Sequence, residues 1–242
     1  MTEKILIVEN NPDYMKAAER VLSRRPGLSL VKAVDYESAI SSIESEEPSL
    51  ALVDCFIPSQ QGMRWRLDRA AISAILIANI GDVRGKQTVE AILHCIDQYG
   101  IDMTMKGMIP GRVSADIDQM IQDGSLGKED ENHRYQLGES LLKGYQDLVT
   151  HFSDFNNFLA TSRANQPLGI LVIEELVKKG VPSTLVTSNH HRGILDSLRR
   201  YANRTGISFF SGIKLVDGEK ANPEYWVEAL THHDASYKNH RK

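Results

Sequence analysis

The strongest constraint on the fold is a set of short apolar runs that end on polar residues and alternate with amphipathic stretches. "KILIV" (4–8) is apolar without alternation, as a strand buried on both faces requires. Asn11-Pro12 then offers a helix cap followed by proline at the first helical position. Met15, Ala18, Val21 and Leu22 recur at helical spacing up to the Pro26-Gly27 break. "LSLVKAV" (28–34) reads as a second strand, and Asp35 caps a helix whose apolar face is Ala39, Ile40 and Ile43. "SLALVD" (49–54) is a third strand. Strand, helix, strand, helix, strand with short connections predicts a parallel sheet with right-handed crossovers.

The C-terminal third repeats the pattern. "PLGILVIEELVKKG" (167–180) predicts a helix and "VPSTLVT" (181–187) a strand. Ile194, Leu195, Leu198 and Tyr201 mark another helix, "ISFF" (207–210) a strand, and "PEYWVEAL" (223–230) a closing helix. The two ends together have the content of an α/β, flavodoxin-like doubly wound domain with a five-stranded parallel sheet. The expected organisation is an N-terminal half (1–62), a mainly helical insertion (63–166) and a C-terminal half (167–242). Within the insertion, Leu137, Leu141, Leu142, Tyr145, Leu148, Val149, Phe152, Phe155, Phe158 and Leu159 fall at steps of three and four. They predict one amphipathic helix of about 25 residues. "GSLGKEDENH" (124–133) reads as a polar loop. A second parsing makes "ILIANIGD" and "IDMTMKGMIP" strands four and five, with a separate C-terminal domain.

Composition excludes several function classes. A net charge of -4 argues against nucleic acid as a partner, since phosphate contacts need clustered cations. The basic "YKNHRK" end is short and reads as a solvated tail. Cys55 and Cys95 lack CxxC spacing, so neither a disulfide framework nor a cysteine zinc site is expected. "MTEKILIVEN" carries charge where a signal peptide needs an apolar core, and no apolar run reaches membrane-span length. The expectation is a cytoplasmic protein with no membrane partner.

Sites on open parallel sheets form beyond the carboxyl ends of the strands. Glu9 and Asn10 follow strand one, Asp54 ends strand three, and Thr187, Ser188, Asn189, His190 and His191 follow strand four. Lys214 and Lys220 lie past strand five. A carboxylate can accept a phosphoryl group when a divalent cation offsets the charge, and Mg²⁺ binds through few carboxylates plus waters. A hydroxyl and an ammonium then stabilise the phosphoryl oxygens. Adjacent histidines on a loop point apart and make a poor metal pair, and His232-His233, near the tail, is expected to be exposed. "GDVRGKQT" (81–88) misses the Walker A spacing by one position at its first glycine and at its hydroxyl.

"ILIVENNPDYMKAAERVL" and "LALVDCFIPSQQG" resemble the first unit and the phosphoacceptor segment of response-regulator receiver domains, the proteins of two-component signalling. Asp54, Pro58 and Gly62 keep that family's Asp-x-x-x-Pro-x-x-x-Gly spacing. The resemblance implies that Asp54 is the phosphoacceptor, Glu9 a metal ligand, and Phe56 the ligand that offers its backbone carbonyl. It implies that Thr187 is the switch hydroxyl with Ser188 beside it, and that Lys220 is the active-site lysine, with Lys214 or, in the second parsing, Lys106 in its stead. Mg²⁺ is the implied cofactor. A histidine kinase or other phosphodonor and a further protein, or a second copy in a homodimer, are the implied partners. Such a phosphoprotein at most catalyses its own phosphorylation and dephosphorylation. The chain departs from the family pattern at Asn10, where a second acid is usual and whose amide weakens the Mg²⁺ site. It departs again at Lys220, followed by Ala-Asn-Pro rather than Pro, and in the insertion.

Two further readings come from other classes. One is a non-phosphorylated pseudo-receiver that serves as an interaction module. The other is a haloacid-dehalogenase-type phosphohydrolase, which needs a second Asp two residues after the nucleophile, where this chain has Phe56.

Overall fold

The computed structural model describes residues 3–60, 109–124, 131–162, 167–188, 192–212 and 219–238, with isolated positions at 70, 71, 73–75, 94, 104 and 127. Its centre is a five-stranded, all-parallel sheet in the order β2-β1-β3-β4-β5. The strands are β1 (Glu3–Val8), β2 (Leu28–Ala33), β3 (Leu50–Asp54), β4 (Ser183–Thr187) and β5 (Ser208–Ser211). This is the expected flavodoxin-like α/β fold. β3 lies between β1 and β4, and the positions of strands four and five are taken by β4 and β5 from the C-terminal third, so the second parsing does not describe the sheet. Apart from Ile75, its "ILIANIGD" strand, with Lys106 and Lys214, lies outside the described residues.

Local chemistry sets the first two helices. α1 (Pro12–Leu22) starts where Asn11 Oδ1 accepts the backbone N–H of Asp13 at 2.9 Å, with proline at the first position, where no intrahelical donor is needed. α2 (Tyr36–Ser45) carries a capping box in which Asp35 Oδ1 accepts from the Ser38 N–H at 2.7 Å and Ser38 Oγ accepts from the Asp35 N–H at 3.2 Å. Side chains of β1 alternate between two cores. Leu6 and Val8 join Ala39, Ile43, Val53, Leu185, Leu198 and Tyr201 on one face. Ile5 and Ile7 join Met15, Leu22, Leu52, Val186, Tyr225 and Trp226 on the other. Both faces of the sheet are covered, which is why its strands read as unbroken apolar runs.

Two helices of the region 63–166 are described, α3 (Ile109–Gln122) and α4 (Glu131–Ser162), and they pack on each other. α4 has 32 residues, longer than its apolar stripe, and begins within the stretch expected to be a polar loop. Its first turns are polar, so hydropathy gave no sign of them. Between the two helices Asp116 is buried, accepts a hydrogen bond from the Tyr145 hydroxyl, and pairs with Arg112 at 3.3 Å. A buried carboxylate needs such partners.

The chain returns through α5 (Gly169–Lys178), which starts two residues after Pro167 because Pro167 forms an isolated parallel bridge with Ile57. α6 (Arg192–Thr205) and α7 (Pro223–Lys238) complete the layers. α7 is stitched to β4 over its length. The Tyr225 hydroxyl donates to the Thr187 carbonyl at 3.0 Å, and the Tyr237 hydroxyl donates to the Ser183 carbonyl at 2.7 Å. His233, expected to be exposed, is instead buried, with Nδ1 2.9 Å from Thr184 Oγ1. The last helix continues through it, so position near the tail did not decide exposure. Among the described residues no helix is long and apolar enough to cross a membrane.

Candidate functional site

The site grows from the carboxyl edge of the sheet. β1 ends at Val8 and delivers Glu9, whose backbone N–H donates to the Ala33 carbonyl of β2 at 3.0 Å. Glu9 is 1% exposed, and Oε1 accepts the Asn11 N–H at 2.9 Å, so the carboxylate is aimed by the same turn that starts α1. β3 ends on Asp54, which pairs in register with Val186 of β4 and is 7% exposed. Thr187 follows Val186 and closes β4 at the same edge. Ser188 comes next and is half-buried, and Asn10, beside Glu9, is partly exposed.

Lys220 reaches this edge from the other end of the chain. It sits in a single 3-10 turn (Glu219–Ala221) just before α7 and is 2% exposed. Its ammonium lies 2.6 Å from Asp54 Oδ1 and 2.9 Å from Glu9 Oε2. Two features fix the turn. Asn222 Oδ1 accepts the Glu224 N–H at 3.0 Å to cap α7, and the buried Trp226 Nε1–H donates to the Lys220 carbonyl at 2.8 Å. Tyr225, beside Trp226, holds the Thr187 carbonyl. Adjacent aromatics in the first turn of α7 therefore fix the lysine and the threonine together. The sequence reading did not find these two holders. The signal was present in the "EYW" that follows Lys220, but helical periodicity assigns such residues only to the core.

Two carboxylates and one ammonium leave the cluster with excess negative charge when all are ionised. Burial pushes the Asp54 carboxyl up, to about 7, and Glu9 adds to this, while the Lys220 ammonium and the Phe56 N–H pull it back. Burial alone would neutralise Lys220, but Asp54 and Glu9 together hold it charged and raise its pKa. The neighbouring Cys55 thiol is buried and pushed up by that burial and by the Asp54 charge. It is kept as a thiol and has no nucleophilic character.

Thr187 supplies the remaining polar group. Its hydroxyl is fully buried and has no hydrogen-bond partner among the described residues. A buried hydroxyl is costly to leave without a hydrogen-bond partner. The structure brings together Glu9, Asp54, Thr187 and Lys220, with Asn10, Phe56 and Ser188 as chain neighbours. Phe56 is buried, so only its backbone can serve a ligand. Gly62, Asn189, His190 and His191 lie outside the described residues.

For a divalent cation the donor set is small. Asp54 and Glu9 are the two carboxylates, and both are bridged by Lys220. Among the described residues no group of three or more His, Cys, Asp or Glu side chains is clustered for a metal. Mg²⁺ is satisfied by one or two carboxylates plus waters, so the pair and its excess negative charge fit that ion. No protein-family model matches the chain, and no curated protein matches its sequence.

Proposed function

We propose that this protein is a receiver-like signalling switch that accepts a phosphoryl group on Asp54 and thereby alters its binding to a protein partner. The observation that carries this reading is the set formed by Asp54, Glu9 and Lys220 beside a buried Thr187 hydroxyl that has no partner among the described residues. In the step itself an Asp54 carboxylate oxygen attacks the phosphorus of a donor, a histidine kinase or a small acyl phosphate. An O–P bond forms to Asp54, and the donor's P–N or P–O bond breaks with its electron pair leaving on the donor. Mg²⁺, held by Asp54 and Glu9, would supply neutralising charge for the phosphoryl oxygens. Lys220 then pairs with the new phosphoryl oxygens, and the Thr187 hydroxyl donates to one of them. Asn10 in place of a second acid weakens the cation's hold.

The test is labelling of the full chain with radiolabelled acetyl phosphate and Mg²⁺. Label is expected on the wild-type protein and absent from Asp54→Asn; label that persists in the variant overturns the assignment.

One observation favours a second reading, a pseudo-receiver that is never phosphorylated. The Lys220 ammonium already bridges both carboxylates, as an internal counter-ion would. This reading predicts no phosphoryl uptake and no Mg²⁺-dependent change in Trp226 fluorescence.

A further inference from the structure

The short segment that follows Asp54 is tied to both ends of the insertion. On the outgoing side, Glu37 in the first turn of α2 accepts from Ser59 Oγ at 2.6 Å and from the Gln60 N–H at 2.9 Å. Gln60 Nε2 donates to Asp35 Oδ2 at 3.0 Å, and the Tyr36 N–H donates to the Pro58 carbonyl at 2.9 Å. On the returning side, Pro167 bridges to Ile57, and the Gly169 N–H donates to the Cys55 carbonyl at 3.1 Å. A Cβ on Gly169 would stand 1.9 Å from the Asp54 carbonyl oxygen, so the start of α5 abuts the backbone of Asp54 itself. Ala71 and Ile75, within the insertion, share the apolar cluster of Phe56 and Ile57 and are fully buried.

We propose that residues 55–60 are a joint through which the insertion senses the state of Asp54, with Glu37 as its latch and Gly169 as its fixed point. This rests on the reading of Asp54 as the group whose state changes. Phe56 and Ile57 are packed in the core, and a packed loop cannot absorb a displacement as a solvated one does. A shift at Asp54 therefore moves either the outgoing chain at Gln60, the returning chain at Pro167, or both. The latch stays ionised at neutral pH. Burial opposes this, but hydrogen bonds from the Ser59 hydroxyl and the Gln60 N–H outweigh it and hold Glu37 below the usual carboxylate range. Glu37 is thus a positioning residue that acts on Asp54 through the loop. By reciprocity, anything that binds the insertion in one state biases Asp54 in turn.

The experiment is a double-variant cycle on the full chain, read by hydrogen exchange in α3 and α4. The proteins are wild type, Asp54→Asn, Glu37→Ala and the double variant. Asp54→Asn is expected to change exchange in α3 and α4 by about threefold or more in the wild-type background, and by clearly less in the Glu37→Ala background. Equal changes in both backgrounds, or no change in α3 and α4 on Asp54→Asn, overturn the joint. If Glu37→Ala does not fold, Ser59→Ala cuts one latch bond and takes its place in the cycle. Failure of the phosphoacceptor reading is scored separately, as absence of beryllofluoride binding with Mg²⁺, because the cycle needs no phosphoryl group.

Discussion

The Lys220 ammonium is 2.6 Å from Asp54 Oδ1, and both groups are almost fully buried. The same ammonium is 2.9 Å from Glu9, so one cation from the end of the chain holds two carboxylates from its beginning. Attraction within such a trio offsets the loss of hydration only while all its members are present.

Removal of Lys220 is therefore expected to be severe. Lys220→Ala should destabilise the protein by about 3–5 kcal/mol at pH 8, where two buried carboxylates would face each other unpaired. The loss should shrink at pH 5. Asp54 already has its carboxyl raised to about 7, and without the ammonium it protonates more readily, relieving the repulsion. Urea unfolding of the variant and the wild type at both pH values measures this.

If Asp54 holds Mg²⁺ as proposed, the same shift should make its binding depend on pH. A cation competes with one proton at Asp54, so Mg²⁺ affinity should rise about tenfold per pH unit below 7 and level off above it. Trp226 reports on the site because its indole N–H holds the Lys220 carbonyl. Titrations of Trp226 fluorescence with Mg²⁺ from pH 5.5 to 8.5 follow the trend, in a Trp65→Phe background to isolate the signal. Asn10→Asp should tighten Mg²⁺ binding at every pH, and an affinity that is flat with pH would show that Asp54 is not the ligand that titrates.

His233 provides an independent pH dependence. Burial lowers its pKa from 6.5 to about 4; Asp234 opposes the shift and His232 adds to it. The folded state thus binds a proton less readily than the unfolded one. Stability is intact above pH 6.5 and falls as pH drops toward 4, by up to about 3 kcal/mol. His233→Gln should remove this part of the slope in denaturation midpoints measured between pH 7 and 4.

Two glycines separate fit from flexibility. Gly169→Ala drives a Cβ into the Asp54 carbonyl, with Asp54 C and Cys55 Cα both 2.9 Å away, all of them backbone atoms that cannot step aside. A loss of at least about 3 kcal/mol is expected, at or beyond the upper end of ordinary overpacking. Gly144, inside α4, has nothing within 4 Å of the position of a Cβ. Gly144→Ala should stabilise by up to about 1 kcal/mol, since alanine loses less backbone entropy in a helix. Thermal unfolding of the two variants should move the midpoint in opposite directions.

Much of this molecule is legible in one dimension. Runs such as "KILIV" and "LALVD" betray strands buried on both faces, because a covered parallel sheet leaves no polar side to alternate with. Asn11-Pro12 and Asp35 announce helix starts through side chains that satisfy nearby backbone donors, a local chemistry. Asp54, Glu9 and Thr187 were identifiable because they end or directly follow strands, and parallel strands bring such ends to one edge.

The rest depends on contacts between residues far apart in sequence. Periodicity cannot tell that the first turns of α4 are helical, since they have no apolar stripe. It cannot tell that His233 is buried, because a histidine about three turns into a helix becomes a core residue only when that helix lies on β4. Nor can it give the purpose of Glu37, an unremarkable acid in the first turn of α2 until Ser59 and Gln60 reach it. The sequence by itself determined the sheet, its caps and the strand-end residues, all of which follow from local pattern. Only the tertiary structure decided that Lys220 joins the two carboxylates, that the Thr187 hydroxyl has no partner among the described residues, and that the chain around the insertion is pinned beside Asp54. Those are matters of distance between remote parts of the chain, and packing alone fixes them.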